Sequence, residues 1–149
     1  MTPPVFADAS AGAKRYLDEP GAEIVRETDD VVVASLSRVE VASAIWRKER
    51  DGPLSTDQAG ALLVVFENDW YGTVSKEPAF AVIDATTDVL ALAALLLGRH
   101  GLRTGDAIQL ASALTARQAD PEITGFLCFD QRLRAAARSE GFALLPAEL

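Results

Sequence analysis

The chain has 149 residues, of which 49% are hydrophobic, and a formal net charge of −8. This length can bury an ordinary hydrophobic core, so we expect residues 1–149 to form a single domain. The charge argues against non-specific attraction to nucleic acid, because contacts to phosphate groups normally rest on a surplus of lysine and arginine.

Membrane and secretion signals are missing from the sequence pattern. The longest apolar run, "VLALAALLLG", is much shorter than the roughly 20 residues that a spanning helix needs, and the start "MTPPVFAD" lacks a basic region followed by a long apolar one. We therefore expect a cytoplasmic protein with no membrane partner.

Cys128 is the one cysteine and His100 the one histidine, which excludes an intrachain disulfide, a multi-cysteine zinc site and most histidine chemistry. Any catalysis must then rest on carboxylates.

The first half of the chain alternates short apolar runs with helical patterns. "PVFAD" predicts a buried strand that ends at Asp8 and is followed by the small, helix-compatible residues "ASAGAKRYL". The run "VVV" predicts a second strand. Ser37 and Glu40 then form an S-x-x-E pattern that predicts a capping box at the start of a helix, which ends at Gly52.

Similar signals continue through the middle of the chain. Ser55 and Gln58 predict a second capping box, which opens the helix "AGALLVVFENDWYG" that ends at Gly72. "PAFAVI" predicts a strand and "DVLALAALLLGRH" an apolar helix closed by Gly101. Thr104 is then the predicted cap of the helix that contains "DAIQLASAL".

Three further elements complete the pattern. "GFLCFD" predicts a buried strand that ends at Asp130, "QRLRAAARSEG" an amphipathic helix, and "FALLP" a last strand. Strands that alternate with helices favour a mainly parallel sheet covered on both faces. The predicted fold class is therefore an α/β/α sandwich.

Four acids occupy related positions in this predicted fold. Asp8 and Asp130 follow strands, whereas Glu40 and Asp106 lie in the first turns of helices. In parallel sheets these positions meet in the crevice beyond the carboxyl ends of the strands. Clustered carboxylates need protonation or a hard cation, and Mg²⁺ or Mn²⁺ suits an all-oxygen site that activates water for attack on a phosphodiester. Each acid taken singly also fits a plain role as a turn residue, a cap or a helix-start charge.

The order of the motifs is more specific than any one acid. The segments "VFADASA", "SLSRVEVASAIWRK", "LRTGDAIQLASAL" and "FLCFDQRLRAAARSEGF" resemble the PIN-domain ribonucleases, and among them the VapC-type toxins of toxin–antitoxin pairs. The resemblance extends from Val5 to about Leu145. It implies a PIN-like fold and a metal-dependent endoribonuclease toxin that cuts transfer or ribosomal RNA through metal-activated water, leaving a 5′-phosphate and a 3′-hydroxyl.

The resemblance also assigns roles to the acids. It implies that Asp8 and Asp106 are the core ligands of one or two Mg²⁺ or Mn²⁺ ions, and that Asp130 completes the metal shell directly or through water. Glu40 would be a ligand or would orient the attacking water. Further candidates for support of the site or for contact with substrate are Ser10, Thr104, Cys128 and Arg15.

Two positions depart from the pattern of the family. Ala9 stands where serine or threonine often follows the first aspartate, so a local hydroxyl must come from Ser10. Cys128 stands where threonine or serine is common, and a thiol is a weaker hydrogen-bond partner than a hydroxyl. Neither departure removes an acid of the quartet.

The resemblance further implies a cognate VapB-like antitoxin, whose C-terminal segment often places a basic side chain in the acidic pocket, and a homodimer. The predicted helices between Ser37 and Gly72 are the candidate surfaces for both contacts.

Two alternatives stay open: a PIN-fold module that binds a partner or scaffolds RNA without cutting it, and a receiver-like Mg²⁺-binding signalling domain. The receiver type predicts adjacent acids after the first strand and a lysine after a late strand. This chain has a lone Asp8 and no lysine after Lys76.

Overall fold

A computed structural model describes residues 2–149 of the chain. Its five strands are β1 (Val5–Ala7), β2 (Val31–Ala34), β3 (Phe80–Ile83), β4 (Gly125–Leu127) and β5 (Ala143–Leu145). Its helices are α1 (Ala9–Lys14), α2 (Ala22–Glu27), α3 (Ser37–Arg50), α4 (Thr56–Tyr71), α5 (Thr87–His100), α6 (Thr104–Ala119) and α7 (Gln131–Ser139). Within residues 2–149, no helix is both long enough and apolar enough to cross a membrane.

The strands form one sheet in the order β3-β2-β1-β4-β5, and every pair of neighbours is parallel. The prediction of an α/β fold with a mainly parallel sheet is therefore confirmed. The chain builds the sheet outward from β1 to β3 on one side and then returns to add β4 and β5 on the other side. The change of direction lies between β1 and β4, and in open parallel sheets ligand sites form at such a switch point.

Helices cover both faces of the sheet, and the strands β1, β2 and β4 are buried along their whole length. Phe6, Val32 and Phe126 point to one face and pack with residues of α5, α6 and α7. Val5, Val33 and their neighbours point to the other face, where α1, α3 and α4 supply a second apolar cluster. Because parallel strands alternate with helices along the chain, the carboxyl ends of β1 and β4 and the N-termini of several helices lie at one edge of the sheet.

Two ion-pair clusters connect neighbouring helices within each helical layer. Asp69, near the end of α4, accepts hydrogen bonds from Arg15 Nε at 3.0 Å and from the Tyr16 hydroxyl at 2.8 Å, and Lys76 Nζ lies 3.3 Å from its other oxygen. Glu140, which follows α7, binds the guanidinium of Arg99 and the ring of His100 at the end of α5. These contacts tie α4 to α1 and α7 to α5.

Two predicted helix caps are wrong. The helix α3 begins one residue after Leu36, which forms no side-chain cap, so Ser37 lies inside the helix and makes no capping box with Glu40. The helix α6 likewise begins after Arg103, and Thr104 is its first helical residue rather than its cap. In both cases the backbone enters the helix without a hydroxyl acceptor, and the Ser37 hydroxyl is used elsewhere.

The remaining boundary signals agree with the structure, with one omission. The Ser55 and Gln58 capping box is present, and Gly72 and Gly101 end their helices. The short helix α2 was not predicted. It follows Gly21, whose φ of 91° favours glycine, and it has no side-chain cap, so it lacks the signals that predict a helix start.

Candidate active site at the switch point

One cleft at the carboxyl edge of the sheet brings the four predicted acids together. It has a volume of about 400 Å³ and is lined by Asp8, Glu40, Asp106 and Asp130 from four separate segments of the chain. Asp8 directly follows β1 and Asp130 follows β4, so the two flank the switch point. Glu40 lies in the first turn of α3 and Asp106 in the first turn of α6. The parallel topology thus explains how acids that are distant in sequence become neighbours.

Asp8 is the most buried acid of the cleft, with 3% of its surface exposed. Its Oδ1 accepts a hydrogen bond from the backbone of Ala11 at 3.0 Å, which caps α1, and the Ser10 hydroxyl lies 2.8 Å from both of its carboxylate oxygens. Burial raises the pKa of Asp8 from 3.8 to about 6, although these hydrogen bonds oppose the rise, and the charge of Asp106 adds to it. A carboxylate buried in this way favours a proton or a cation beside it.

Cys128 lies between two of the acids. Its thiol donates to Asp8 Oδ2 at 3.3 Å and accepts a hydrogen bond from the backbone nitrogen of Asp130 at 3.4 Å. Burial, with the adjacent charge of Asp8, raises the pKa of the Cys128 thiol, so this side chain stays a neutral donor. The cysteine therefore occupies the place of a supporting hydroxyl and contacts both Asp8 and Asp130.

The charges of the other acids act on Asp106. Burial raises the pKa of Asp106, the nearby charges of Asp130 and Glu40 raise it further, and Arg103 and Arg132 lower it. Asp130 is partly committed elsewhere, because its Oδ1 accepts the backbone N–H of Leu133 at 2.9 Å and so caps α7. Its second oxygen remains available to the cleft.

Glu40 is held by a residue that the sequence analysis did not single out. Gln109 in α6 donates from Nε2 to Glu40 Oε1 at 3.0 Å and to the Ser37 hydroxyl at 3.0 Å. The signal that could have revealed Gln109 is its spacing, because a residue three positions after Asp106 lies on the same helix face. It is also an amide within the otherwise apolar and small residues of "AIQLASAL".

The basic residues that line the cleft do not include the predicted substrate contact, Arg15. Arg47 and Arg103 line it, and both are exposed. Neither forms an ion pair with any residue between 2 and 149. Arg15, a predicted substrate contact, instead binds Asp69 beside α4 and does not line the cleft. Thr104 also does not line it.

The donor set fits a hard divalent cation in its chemistry. Four carboxylates supply only oxygen ligands, as Mg²⁺ and Mn²⁺ prefer, and the burial that raises the pKa of Asp8 favours a cation beside its carboxylate. Within residues 2–149, however, no three acidic, histidine or cysteine side chains already converge closely enough to hold a metal ion. Cation binding therefore requires the carboxylates to turn toward a common point in the cleft, or water to complete the shell.

Comparison with known proteins gives close matches over the full chain. Ribonuclease VapC45 of Mycobacterium tuberculosis (strain CDC 1551 / Oshkosh) and ribonuclease VapC49 of Mycobacterium tuberculosis (strain ATCC 25618 / H37Rv) are each 30% identical over 151 residues. These matches cover 99% of this chain and 98% of each relative. Ribonuclease VapC47 of the CDC 1551 / Oshkosh strain is 27% identical over 146 residues, 93% of either chain.

The fold also matches a solved structure. A toxin–antitoxin complex from Klebsiella pneumoniae contains a chain that aligns with a TM-score of 0.58 at 14% identity, covering 97% of this chain and 95% of that one. At this identity the match shows a shared fold. No family model matches the chain.

Proposed function

The chain belongs to the VapC ribonuclease family, and we propose that it is a metal-dependent endoribonuclease toxin whose active site is the four-acid cleft. The observation that carries the proposal is the convergence of Asp8, Glu40, Asp106 and Asp130 on one cavity at the switch point of the sheet. The relatives that match nearly the whole chain are named as ribonucleases, which supports RNA as the substrate. We expect transfer or ribosomal RNA.

Each acid has a distinct part in the proposed reaction. Asp8 and Asp106 would hold Mg²⁺ or Mn²⁺, and Asp130 would contribute the carboxylate oxygen that does not cap α7. When bound, such a cation lowers the pKa of water and neutralises charge on a phosphodiester. Glu40 orients the attacking water by accepting its hydrogen bond. Ser10 and Cys128 keep the Asp8 carboxylate in one orientation through the contacts described above.

The arginines of the cleft suit contact with the RNA backbone. Arg47 lies seven residues after Glu40, two turns along the same face of α3, and Arg103 directly precedes α6. Because neither pairs with an acid of residues 2–149, both guanidinium groups are available to the phosphates on either side of the cleaved bond. These two arginines supply positive charge beside the cleft, in a chain whose net charge is −8.

The test uses purified protein freed of any antitoxin. Wild type, Asp8→Asn and Asp106→Asn are incubated with total RNA in Mg²⁺, Mn²⁺ or EDTA, and the new 5′ ends are mapped by sequencing. Asp57→Asn is the matched control, because Asp57 is an exposed first-turn acid of α4 far from the cleft in sequence.

We expect discrete cuts that require a divalent cation, persist in the control and disappear in both cleft variants. If no RNA is cut with either cation, while the cleft variants fold and bind cations as wild type does, the cleft is not a nuclease site. The chain would then be a binding module of the same fold.

We also propose that a cognate antitoxin inhibits the protein by placing a lysine or arginine in the cleft. Burial raises the pKa of Asp106, and the nearby charges of Asp130 and Glu40 raise it further, which favours a cationic side chain in the same place as a metal ion. The matching fold in a toxin–antitoxin complex supports such a partner. Co-expression with the adjacent reading frame, followed by substitution of each basic residue in that partner, tests the proposal. Loss of inhibition is expected for one residue, and inhibition that survives every substitution contradicts it.

A homodimer is the remaining expectation. Helices α3 and α4 expose large apolar side chains, with exposed fractions of 67% for Val39, 59% for Val64 and 65% for Tyr71. Apolar groups on adjacent helices favour burial against a second surface. Light scattering of the purified protein should give twice the monomer mass of 15.9 kDa, and Val64→Lys should shift it to the monomer. A monomeric wild type at micromolar concentration contradicts the expectation.

A further inference from the structure

Gln109 is almost fully buried at the floor of the cleft. It lies in α6 with 1% of its surface exposed, and it lines the same cavity as the four acids. A buried amide costs free energy for each polar group that is left without a hydrogen bond. The hydrogen bonds of Gln109 therefore indicate what the side chain is for.

Both protons of the Gln109 amide have acceptors on α3. Nε2 donates to the Ser37 hydroxyl and to Glu40 Oε1, each at 3.0 Å. The opposite orientation of the amide would set its carbonyl oxygen against the Glu40 carboxylate, acceptor against acceptor. The chemistry of the neighbours thus fixes the amide with Nε2 toward Glu40.

The other side of Glu40 lies against the start of α6. A Cβ atom on Gly105 would lie 3.2 Å from Glu40 Oε2, so the absence of a side chain at 105 lets the carboxylate approach the helix N-terminus. That end of a helix stabilises negative charge. Among residues 2–149, Gln109 is the one side chain that donates a hydrogen bond to Glu40.

The carbonyl oxygen of Gln109 has no partner. Of the buried side-chain nitrogen and oxygen atoms in residues 2–149, Oε1 of Gln109 is the one without a hydrogen bond. A methionine or leucine would fill the same space without leaving such an atom unsatisfied. An amide at this position is thus not explained by packing alone, and its bonded end is the end that holds Glu40.

We propose that Gln109 is a positioning residue, which fixes the Glu40 carboxylate in the cleft through Nε2 while Ser37 anchors the amide. The inference rests on the proposed function, because it assigns a purpose to Glu40 in RNA cleavage. Gln109 touches neither the phosphate nor the cation in this scheme. Its effect passes through the orientation of Glu40, and residues that orient a metal-site carboxylate typically change activity by about 10-fold to 100-fold when they are replaced.

The first test compares Gln109→Met with Gln118→Met. Methionine keeps the length of the side chain and removes its hydrogen bonds, and Gln118 is an exposed glutamine of the same helix. We expect Gln109→Met to lower kcat by about 10-fold to 100-fold with KM changed less than about threefold, because Gln109 does not contact the RNA. The control should keep both constants. A kcat of Gln109→Met equal to that of wild type overturns the inference.

The second test needs no activity. The chain has four glutamines, at positions 58, 109, 118 and 131, and one asparagine, Asn68, so each side-chain amide can be assigned in an NMR spectrum. We expect the Gln109 amide protons to exchange with solvent more slowly than those of Gln118, and their resonances to shift in Glu40→Ala. Exchange as fast as that of Gln118, or no shift in Glu40→Ala, overturns the inference.

The two tests separate this inference from the proposed function. Wild-type protein that cuts no RNA under any metal overturns the nuclease proposal and this inference with it. Wild-type cleavage together with an unimpaired Gln109→Met overturns only the role of Gln109.

Discussion

Replacement of Asp8 by asparagine should stabilise the metal-free protein at neutral pH. Burial raises the pKa of Asp8 from 3.8 to about 6, so the folded state disfavours the charged carboxylate relative to the unfolded chain. Below about pH 3.8 Asp8 is protonated in both the folded and the unfolded state, so its burial does not lower the stability of the fold. Stability is lost as the pH rises toward 6 and above, because the folded state then has to bury the charged carboxylate. Asparagine has no charge to bury and is an equally good helix cap.

The magnitude follows from the size of the shift. At ~1.36 kcal/mol per pKa unit, the charged Asp8 costs the fold about 3 kcal/mol at pH 7.5 and about half of that at pH 5. Asparagine keeps the bond to the Ala11 nitrogen but weakens those to Ser10 and Cys128, a loss of about 1 kcal/mol. We expect Asp8→Asn to be more stable than wild type by about 2 kcal/mol at pH 7.5 and by less than about 1 kcal/mol at pH 5.

Urea unfolding in EDTA, followed by the fluorescence of Trp46 and Trp70, measures these differences at both pH values. The exposed control Asp57→Asn should stay within about 0.5 kcal/mol of wild type. Mg²⁺ at about 100 times its Kd should then add about 2.7 kcal/mol to wild type and nothing to Asp8→Asn. An Asp8→Asn protein that is less stable than wild type at pH 7.5, or whose advantage does not grow with pH, refutes the reasoning.

Two further substitutions test ion pairs outside the cleft, and a third tests the space around Glu40. Burial alone would raise the pKa of Asp69, but its hydrogen-bond donors lower it. Asp69→Asn should therefore reduce the free energy of unfolding by about 3 kcal/mol at pH 7, and by less as the pH falls below 3.8. Urea unfolding measures both values. Hydrogen bonds from His100 and its arginine neighbour outweigh burial and lower the pKa of Glu140; Glu140→Gln should cost about 1 kcal/mol at pH 7 and less near pH 3.5, by thermal unfolding. Gly105→Ala should push the Glu40 carboxylate by a few tenths of an ångström. We expect RNA cleavage to fall about 10-fold while the free energy of unfolding rises by up to about 1 kcal/mol. Cleavage at the wild-type rate would count against a fixed Glu40.

The convergence of the acids could be predicted from sequence because it follows from topology. Asp8 and Asp130 each end a short apolar run, and parallel strands bring such ends to one edge. The helix starts near Glu40 and Asp106 could be placed to within a residue from Ser37 and Thr104, although neither residue forms the predicted cap. The crevice requires only that β1 lie beside β4, and the order of the other strands does not change it.

The contacts within the cleft could not be predicted, because they depend on how α3 packs against α6. Ser37 and Glu40 fit a capping box by spacing alone, but in the fold both turn toward Gln109 of another helix. Arg15 was a reasonable substrate contact by its position after Asp8, yet the buried carboxylate of Asp69, 54 residues away, captures it. A local pattern states what a side chain can do, and the long-range partner decides which option is realised.

The electrostatics of the cleft also limit how the protein can recognise RNA. With Arg47 and Arg103 as the phosphate contacts of the cleft, a single strand releases few counterions, and the logarithm of affinity should fall with the logarithm of salt concentration at a slope of about −1.4. A steeper slope requires further basic surface, such as Arg132 and Arg138 on α7. Because the arginines contribute so little to affinity, the rest must come from bound cations and from the shape of the RNA. A chain with a net charge of −8 should therefore prefer a structured loop at its cleft over an arbitrary strand.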